Sequence, residues 1–269
     1  MTSASLSPTQ QVPAFYSRLG PDDYRPSISV QGAWRDDEQH MAPISGLITQ
    51  ALVQHEPRTG MRIARLSFEI LGLIPLEDTH IEVRTIRPGR TIELLEAEAV
   101  IGGRVVVRAR AWRLVLTDTA DVAGNELATI PPPQECEEYA VGGTEWGGKF
   151  IASLQWRTAP GGREGRRAVW VRSAAALLAD EDVDPIASFI MLVDAANGSA
   201  TRARPHELMY PNVDLGIYLL RTPDPSWVGL DVAVSFGSDG IGLTSTTLSD
   251  IQGPVGRAEQ ILTVRHFPS

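Results

Sequence analysis

The order of structural elements legible in this chain occurs twice, and that repetition constrains the fold more than any single motif. In the first half, residues 14–18 and 27–31 read as short strands and residues 41–54 as a helix, with Ile44, Leu47, Ile48, Ala51 and Leu52 at helical spacing and Pro43 tolerated in its first turn. Four strands follow at 65–70, 80–86, 91–100 and 104–116, many alternating polar and apolar residues, with turns at Pro88-Gly89 and Gly102-Gly103. The second half repeats the order. Strands are expected at 150–156 and 167–172, then a helix at 184–198, then strands at 213–220, 227–235, 243–248 and 257–266. Asp184-Pro185 supplies an N-cap and a proline at the first helical position, and Gly198 suits the C-cap.

The spacing supports an ancient duplication. Pro43 and Pro185 stand 142 residues apart, and Gly103 and Gly253 stand 150 apart. The predicted organisation is an N-terminal unit at 10–117, a connector at 118–148 containing Pro131-Pro132-Pro133 and the acidic run at 135–138, and a C-terminal unit at 149–269. From Ile186 to Val193 the second helix is apolar at every position but Ser188. A helix apolar all round must be enclosed on all sides. An antiparallel sheet curled around one long helix meets that need, and two such units side by side cover one another's edges. The expected class is therefore α+β, a double hot-dog in which each tandem unit wraps an antiparallel sheet around a central helix.

Composition removes several functional classes. The 269 residues carry 24 basic and 33 acidic side chains, a net charge of −9 that disfavours a broad grip on nucleic-acid phosphates. With 43% hydrophobic residues the chain has material for a sizeable core. One cysteine, Cys136, excludes an intrachain disulfide and any multi-cysteine metal site. Three neighbouring glutamates, Glu135, Glu137 and Glu138, argue against a reactive thiolate there. The five histidines, at 40, 55, 80, 206 and 266, show no metal-ligand spacing, so neither a metal nor a cofactor is implied. The loop 161–167, with Arg163, Arg166 and Arg167, reads as a solvated hairpin turn rather than a phosphate site. The start of the sequence has no basic and apolar leader pattern, and no run is long enough to span a bilayer, so a soluble, cytoplasmic protein is expected.

Asp194 is the residue that demands a chemical account. At helical spacing it shares a face with Ala187, Ile190 and Met191, which points its carboxylate where burial is expected. Burying an ionised carboxylate costs several kcal/mol unless it finds partners. Desolvation, together with the negative end of the helix dipole, should raise its pKa toward that of a general base. Counting nine residues from each proline, its counterpart in the first half is Leu52, so only one half carries the carboxylate. Asn212 begins the strand after the helix. Gln260 sits mid-strand on the same face as Ala258, Leu262 and Val264, where a buried amide needs a partner such as a carboxylate and a water. His40, ahead of the first helix, reads as a solvated or capping histidine.

The order helix Asp194, strand-start Asn212-Val213-Asp214 and late-strand Gln260 before Thr263-Val264-Arg265 resembles the acyl-CoA thioesterase II family of double hot-dog enzymes. Arg87-Pro88-Gly89 is similar to a turn in the first half of that family. The resemblance implies hydrolysis of acyl-CoA to fatty acid and CoA, with an Asp, a Thr and a Gln positioning and activating the attacking water. By position the Asp falls on Asp194 and the Gln on Gln260, while Asn212 stands where the family has Thr. That departure leaves open a non-catalytic acyl-CoA or acyl-ligand binding protein on the same fold. Hydratases and dehydratases of this fold pair an Asp with a His, and the second helix places no histidine near Asp194. A homo-oligomer of the doubled unit, assembled through sheet edges or faces, also remains open.

Overall fold

The computed structural model describes residues 14–140, 147–205 and 207–267. The expected start of the first unit at residue 10, part of the connector (141–146), His206 and the last two residues lie outside the described residues. The first half comprises β1 (Tyr16–Arg18), β2 (Asp23–Pro26), α1 (Met41–Gln54), β3 (Met61–Ile70), β4 (Thr79–Arg87), β5 (Ile92–Ile101) and β6 (Arg104–Val115). The second comprises β7 (Glu137–Glu138), α2 (Lys149–Ser153), β8 (Leu154–Thr158), β9 (Arg166–Ser173), α3 (Pro185–Ile190), α4 (Ala196–Ser199), β10 (Leu208–Met209), β11 (Asp214–Leu219), β12 (Val228–Phe236), β13 (Ile241–Asp250), β14 (Gly253–Thr263) and β15 (Arg265–His266).

Thirteen strands form one antiparallel sheet, in which β3 of the first half pairs directly with β11 of the second. Outward from that seam the first half runs β3–β6–β5–β4–β2–β1 and the second β11–β14–β13–β12–β9–β8, with β7 at the far edge. Each half thus follows the same strand order. The sheet curls around its helices, giving two hot-dog-like domains in the double hot-dog arrangement. The halves also clasp at their margins, where Phe15 and Tyr16 donate backbone hydrogen bonds to the carbonyls of Ala176 and Leu177. No helix among the described residues is long and apolar enough to cross a membrane.

Three local expectations are corrected. Residues 27–31 form a 3-10 turn, Ile28–Val30, with the Ser27 hydroxyl accepting from Ser29 N–H, and the second strand lies earlier at Asp23–Pro26. Alternating Ile28 and Val30 mimic a strand, but the Ser27 cap stabilises the turn. The strand placed at 150–156 begins only at Leu154, because Lys149–Ser153 coil into α2 and bury Phe150. The second helix is not continuous: α3 ends at Ile190, a 3-10 turn spans Val193–Ala195, and Gly198 lies inside α4 rather than capping it.

The two central helices touch at Gly46. A Cβ there would lie 2.4 Å from Met191 Cβ and 3.0 Å from the Ala187 carbonyl oxygen, so only glycine permits this approach. At the other end of α1, the buried Arg113 guanidinium bonds Glu93 at 2.8 Å and donates to the carbonyls of Leu52, His55 and Glu56, capping the helix. Gly46→Ala is expected to lower stability by about 1–3 kcal/mol through overpacking. Urea unfolding checks this, and an unchanged midpoint would show that the helices can separate freely.

Candidate active site

The break in the second helix aims Asp194. Beside it the Ser45 hydroxyl of α1, which bonds Ala42 O at 2.7 Å, lies 3.3 Å from the Ile190 carbonyl. Beyond Ile190 the chain continues through Leu192 at φ −117° into the 3-10 turn that carries Asp194. Gln260 projects inward from β14 beside Ala258 and Leu262, all essentially inaccessible. Asn212 precedes β11 at the seam, where Val213 N–H bonds Ile261 O and the Asp214 carboxylate accepts from Ile261 N–H.

These elements bring together all three residues singled out in the sequence. Asp194 is 4% exposed, and its Oδ1 accepts from Asn212 Nδ2 at 2.7 Å and from Gln260 Nε2 at 2.8 Å. Asn212 Nδ2 also donates to Asp214 O at 3.0 Å. Burial pushes the Asp194 carboxyl up to about 6, against the two amide hydrogen bonds, which favour the ionised form.

His40 joins them from the first half, which periodicity did not foretell. It caps α1, its Nδ1 accepting from Ala42 N–H at 3.0 Å, as a capping histidine should. It is mostly buried rather than solvated, its side chain 15% exposed, and the same Nδ1 stands 3.5 Å from Asp194 Oδ2. Burial lowers its pKa to about 4, so the ring is neutral near neutrality. The histidine absent from the second helix is therefore supplied by the other half. Its backbone is fixed by His40 N–H to Val30 O and Gln39 N–H to Ile74 O, and its ring packs on Phe150 with centroids 4.6 Å apart.

His40, Asp194 and Asn212 open onto a cavity of about 460 Å³ between the halves, within the size range of small-molecule sites. Its apolar wall includes Trp34, Met41, Ile70, Leu73, Ile74 and Met209. Among the described residues no cluster of three or more His, Cys, Asp or Glu side chains could hold a metal ion. Cys136 is buried away from this site against Pro131 O, and burial first, with Glu135 behind it, raises its thiol pKa. The arginine loop closes the β8–β9 hairpin, with Arg163 and Arg166 exchanging backbone hydrogen bonds.

The counterpart of Asp194 also needs correction. The helices are matched by their N-caps, His40 and Asp184, and ten residues beyond each cap stand Gln50 and Asp194, so Asp194 matches Gln50 and not Leu52. The prolines misled because Pro43 is the third residue of α1 and Pro185 the first of α3. At the matching place the facing side chain is the buried Gln50, which bonds the backbone of Asp184 and Asp182.

Comparison with known proteins agrees with this architecture. Residues 30–114 match the family described as acyl-CoA thioesterase N-terminal domain, and residues 133–264 match the acyl-CoA thioesterase C-terminal domain. The chain belongs to the hot-dog-fold acyl-CoA thioesterase-like superfamily. Among solved structures, this thioesterase-like chain resembles a conserved hot-dog protein of unknown function from Alicyclobacillus acidocaldarius, with a TM-score of 0.73 and 14% identity over 94% of this chain and 96% of that one. An acyl-CoA thioesterase II from Mycobacterium marinum gives 0.67 and 17% over 94% and 95%, and the tesB protein of Mycobacterium avium subspecies paratuberculosis 0.65 and 15% over 93% and 95%. At these identities the likeness is one of fold. No curated protein sequence matches significantly.

Burial sets the thioesterase-like chain a stability cost that can be measured. A carboxyl raised from its ordinary 3.8 to about 6 makes the folded state bind more protons than the unfolded one, so its contribution falls as pH rises through that window. His40, lowered from 6.5 to about 4, acts in the opposite sense, stability being lost as pH falls from 6.5 toward 4. Between about 4 and 6 the two slopes offset. Asp194→Asn is expected to raise stability at pH 7 by about 3 kcal/mol. It should also leave the His40 slope uncovered, with stability rising from pH 4 to 6.5. Urea unfolding across pH measures both, and a less stable variant at pH 7 counts against a strained, ionised Asp194.

Proposed function

We propose that the chain hydrolyses acyl-CoA thioesters with a water activated by Asp194. One observation carries this reading: a buried carboxylate whose Oδ1 is held by two amides and whose Oδ2 remains available at an apolar cavity. Asn212 stands in the place that acyl-CoA thioesterase II relatives give to a threonine, and it serves as a hydrogen-bond donor there. Asp194 is the general base, with Gln260 and Asn212 fixing its plane. Arg35 and Arg265 among the lining residues offer cations for the phosphates of CoA.

In the reaction, a water bound to Asp194 Oδ2 attacks the thioester carbonyl carbon and passes its proton to Oδ2. The carbonyl oxygen takes the negative charge, the C–S bond then breaks, and the thiolate of CoA recovers the proton from Asp194. Fatty acid and CoA result, and the carboxylate is regenerated. A base with a pKa near 6 is ionised at neutral pH yet basic enough to assist.

The test is thiol release from acyl-CoA substrates of graded chain length. Turnover (kcat/KM) is expected to rise with pH through about 6 and level off above it. Asp194→Asn should abolish hydrolysis, and tight acyl-CoA binding without thiol release by the unmodified protein would favour a binding module instead. Asn212→Ala removes a hydrogen bond that favours the ionised carboxylate, so the acidic limb should move to higher pH. A limb that does not move would remove Asn212 from the assigned role.

A second reading has one observation in its favour. The approach of His40 to Asp194 meets the Asp-His requirement of hydratases and dehydratases acting on acyl thioesters. Supplying 2-enoyl-CoA separates the readings: loss of the conjugated double bond without thiol release supports hydration.

A further inference from the structure

We infer that His40 binds the substrate carbonyl oxygen through its Nε2–H, acting as the neutral oxyanion donor of the site. The inference rests on the acyl-thioester reading above and adds a residue to it. The argument starts from the helix cap. Nδ1 accepts the Ala42 N–H, so its lone pair is occupied and it carries no proton. The ring proton of neutral His40 therefore resides on Nε2. Neither nitrogen retains a free lone pair, which removes His40 as a base and leaves it one chemical capability, donation from Nε2.

That donor has a place to act. Among the described residues no protein group bonds Nε2, and it is not among the buried side-chain atoms left without a partner. The ring lines the cavity between the halves, so its exposed part faces the space a substrate would occupy. On the other side of the same ring, Nδ1 lies 3.5 Å from Asp194 Oδ2. In this assignment the substrate carbonyl turns its carbon toward a water on Oδ2 and its oxygen toward the Nε2–H. Burial holds the ring neutral, and its place at the N-terminus of α1 disfavours a positive charge further. A neutral imidazole loses no proton to the developing oxyanion, so it stabilises negative charge without becoming a competing acid.

Gln39, Glu38 and Asp194 are the polar or titratable neighbours to consider, and among the described residues only Asp194 of these contacts the ring. Gln39 is engaged with Tyr16, Pro75 and Thr79, and Glu38 with the backbone of Trp34 and Arg35.

Two amide substitutions separate the cap from the donor. In His40→Asn the side-chain oxygen replaces Nδ1 as cap but nothing reaches the position of Nε2. In His40→Gln the amide nitrogen reaches that position while the cap is weakened. His40→Asn should keep the wild-type melting temperature and lose about 10²–10³ in kcat. His40→Gln should melt lower and keep kcat within about tenfold. Binding provides a readout independent of turnover. A ketone analogue of acyl-CoA, with methylene in place of sulfur, retains the carbonyl; a thioether analogue, with methylene in place of the carbonyl, lacks it. Wild type and His40→Gln should prefer the ketone, and His40→Asn should lose that preference while binding the thioether unchanged. Unchanged kcat in His40→Asn, or equal loss of affinity for both analogues, overturns the assignment. If the unmodified protein binds neither analogue and releases no thiol, the acyl-thioester reading falls first and takes this assignment with it.

Discussion

Antiparallel pairing of β3 with β11 makes one sheet of two halves, and the site depends on that ladder. With the strands joined, α1 and α3 share one interior, and Gly46 lets them approach until Ser45 reaches the Ile190 carbonyl. The 3-10 turn after α3 sets Asp194 beside Asn212 and Gln260. The two ends of the interior then differ. At one, His40 and Asp194 meet beside a cavity; at the other, Gln50 fills the equivalent place and ties down the loop ahead of α3. A near-symmetric fold thereby carries an asymmetric site, because one amide side chain occupies what a carboxylate and a cavity occupy opposite.

The energetics of the site are those of a charge held where charge is costly. Two amides offset part of the desolvation of Asp194, yet its carboxyl remains raised to about 6. His40, beside it, is neutral for the same reason. Near pH 5 the unfolded chain holds one proton on this pair, on the histidine, and the folded chain also holds one, on the carboxyl. The proton count is therefore the same in both states although its location differs. Burial raises the carboxyl and neutralises the imidazole together without giving the fold a steep acid dependence from this pair.

Much of this was legible in the residues, and the failures share a cause. The spacing of Ile44, Leu47 and Ile48 locates α1 at Met41–Gln54, and the period-two faces of β14 put Gln260 inside with Ala258 and Leu262. Both are records of local burial, which periodicity reports well. The break after Ile190 falls within a run that is apolar from Phe189 to Val193, so no local pattern marks it. His40 shows the division most clearly. Its capping of Ala42 N–H is a local property and was readable, whereas its approach to Asp194 exists only because the halves share a sheet.

Asn212 illustrates why a departure from a family pattern must be judged by its donors. A threonine hydroxyl has one proton to give, and the Asn212 amide has two, used on Asp194 Oδ1 and Asp214 O. The second bond anchors the amide to the start of β11, so its direction toward Asp194 is set by backbone rather than by a free rotor. With Gln260 on the same oxygen, Oδ1 is committed to two donors, and in the proposed mechanism a proton taken from water has Oδ2 as its destination. An amide in this place supplies the donor that a hydroxyl would while leaving the carboxylate one-sided. Its uncommitted oxygen faces the histidine and the cavity, where the proposed mechanism puts the water.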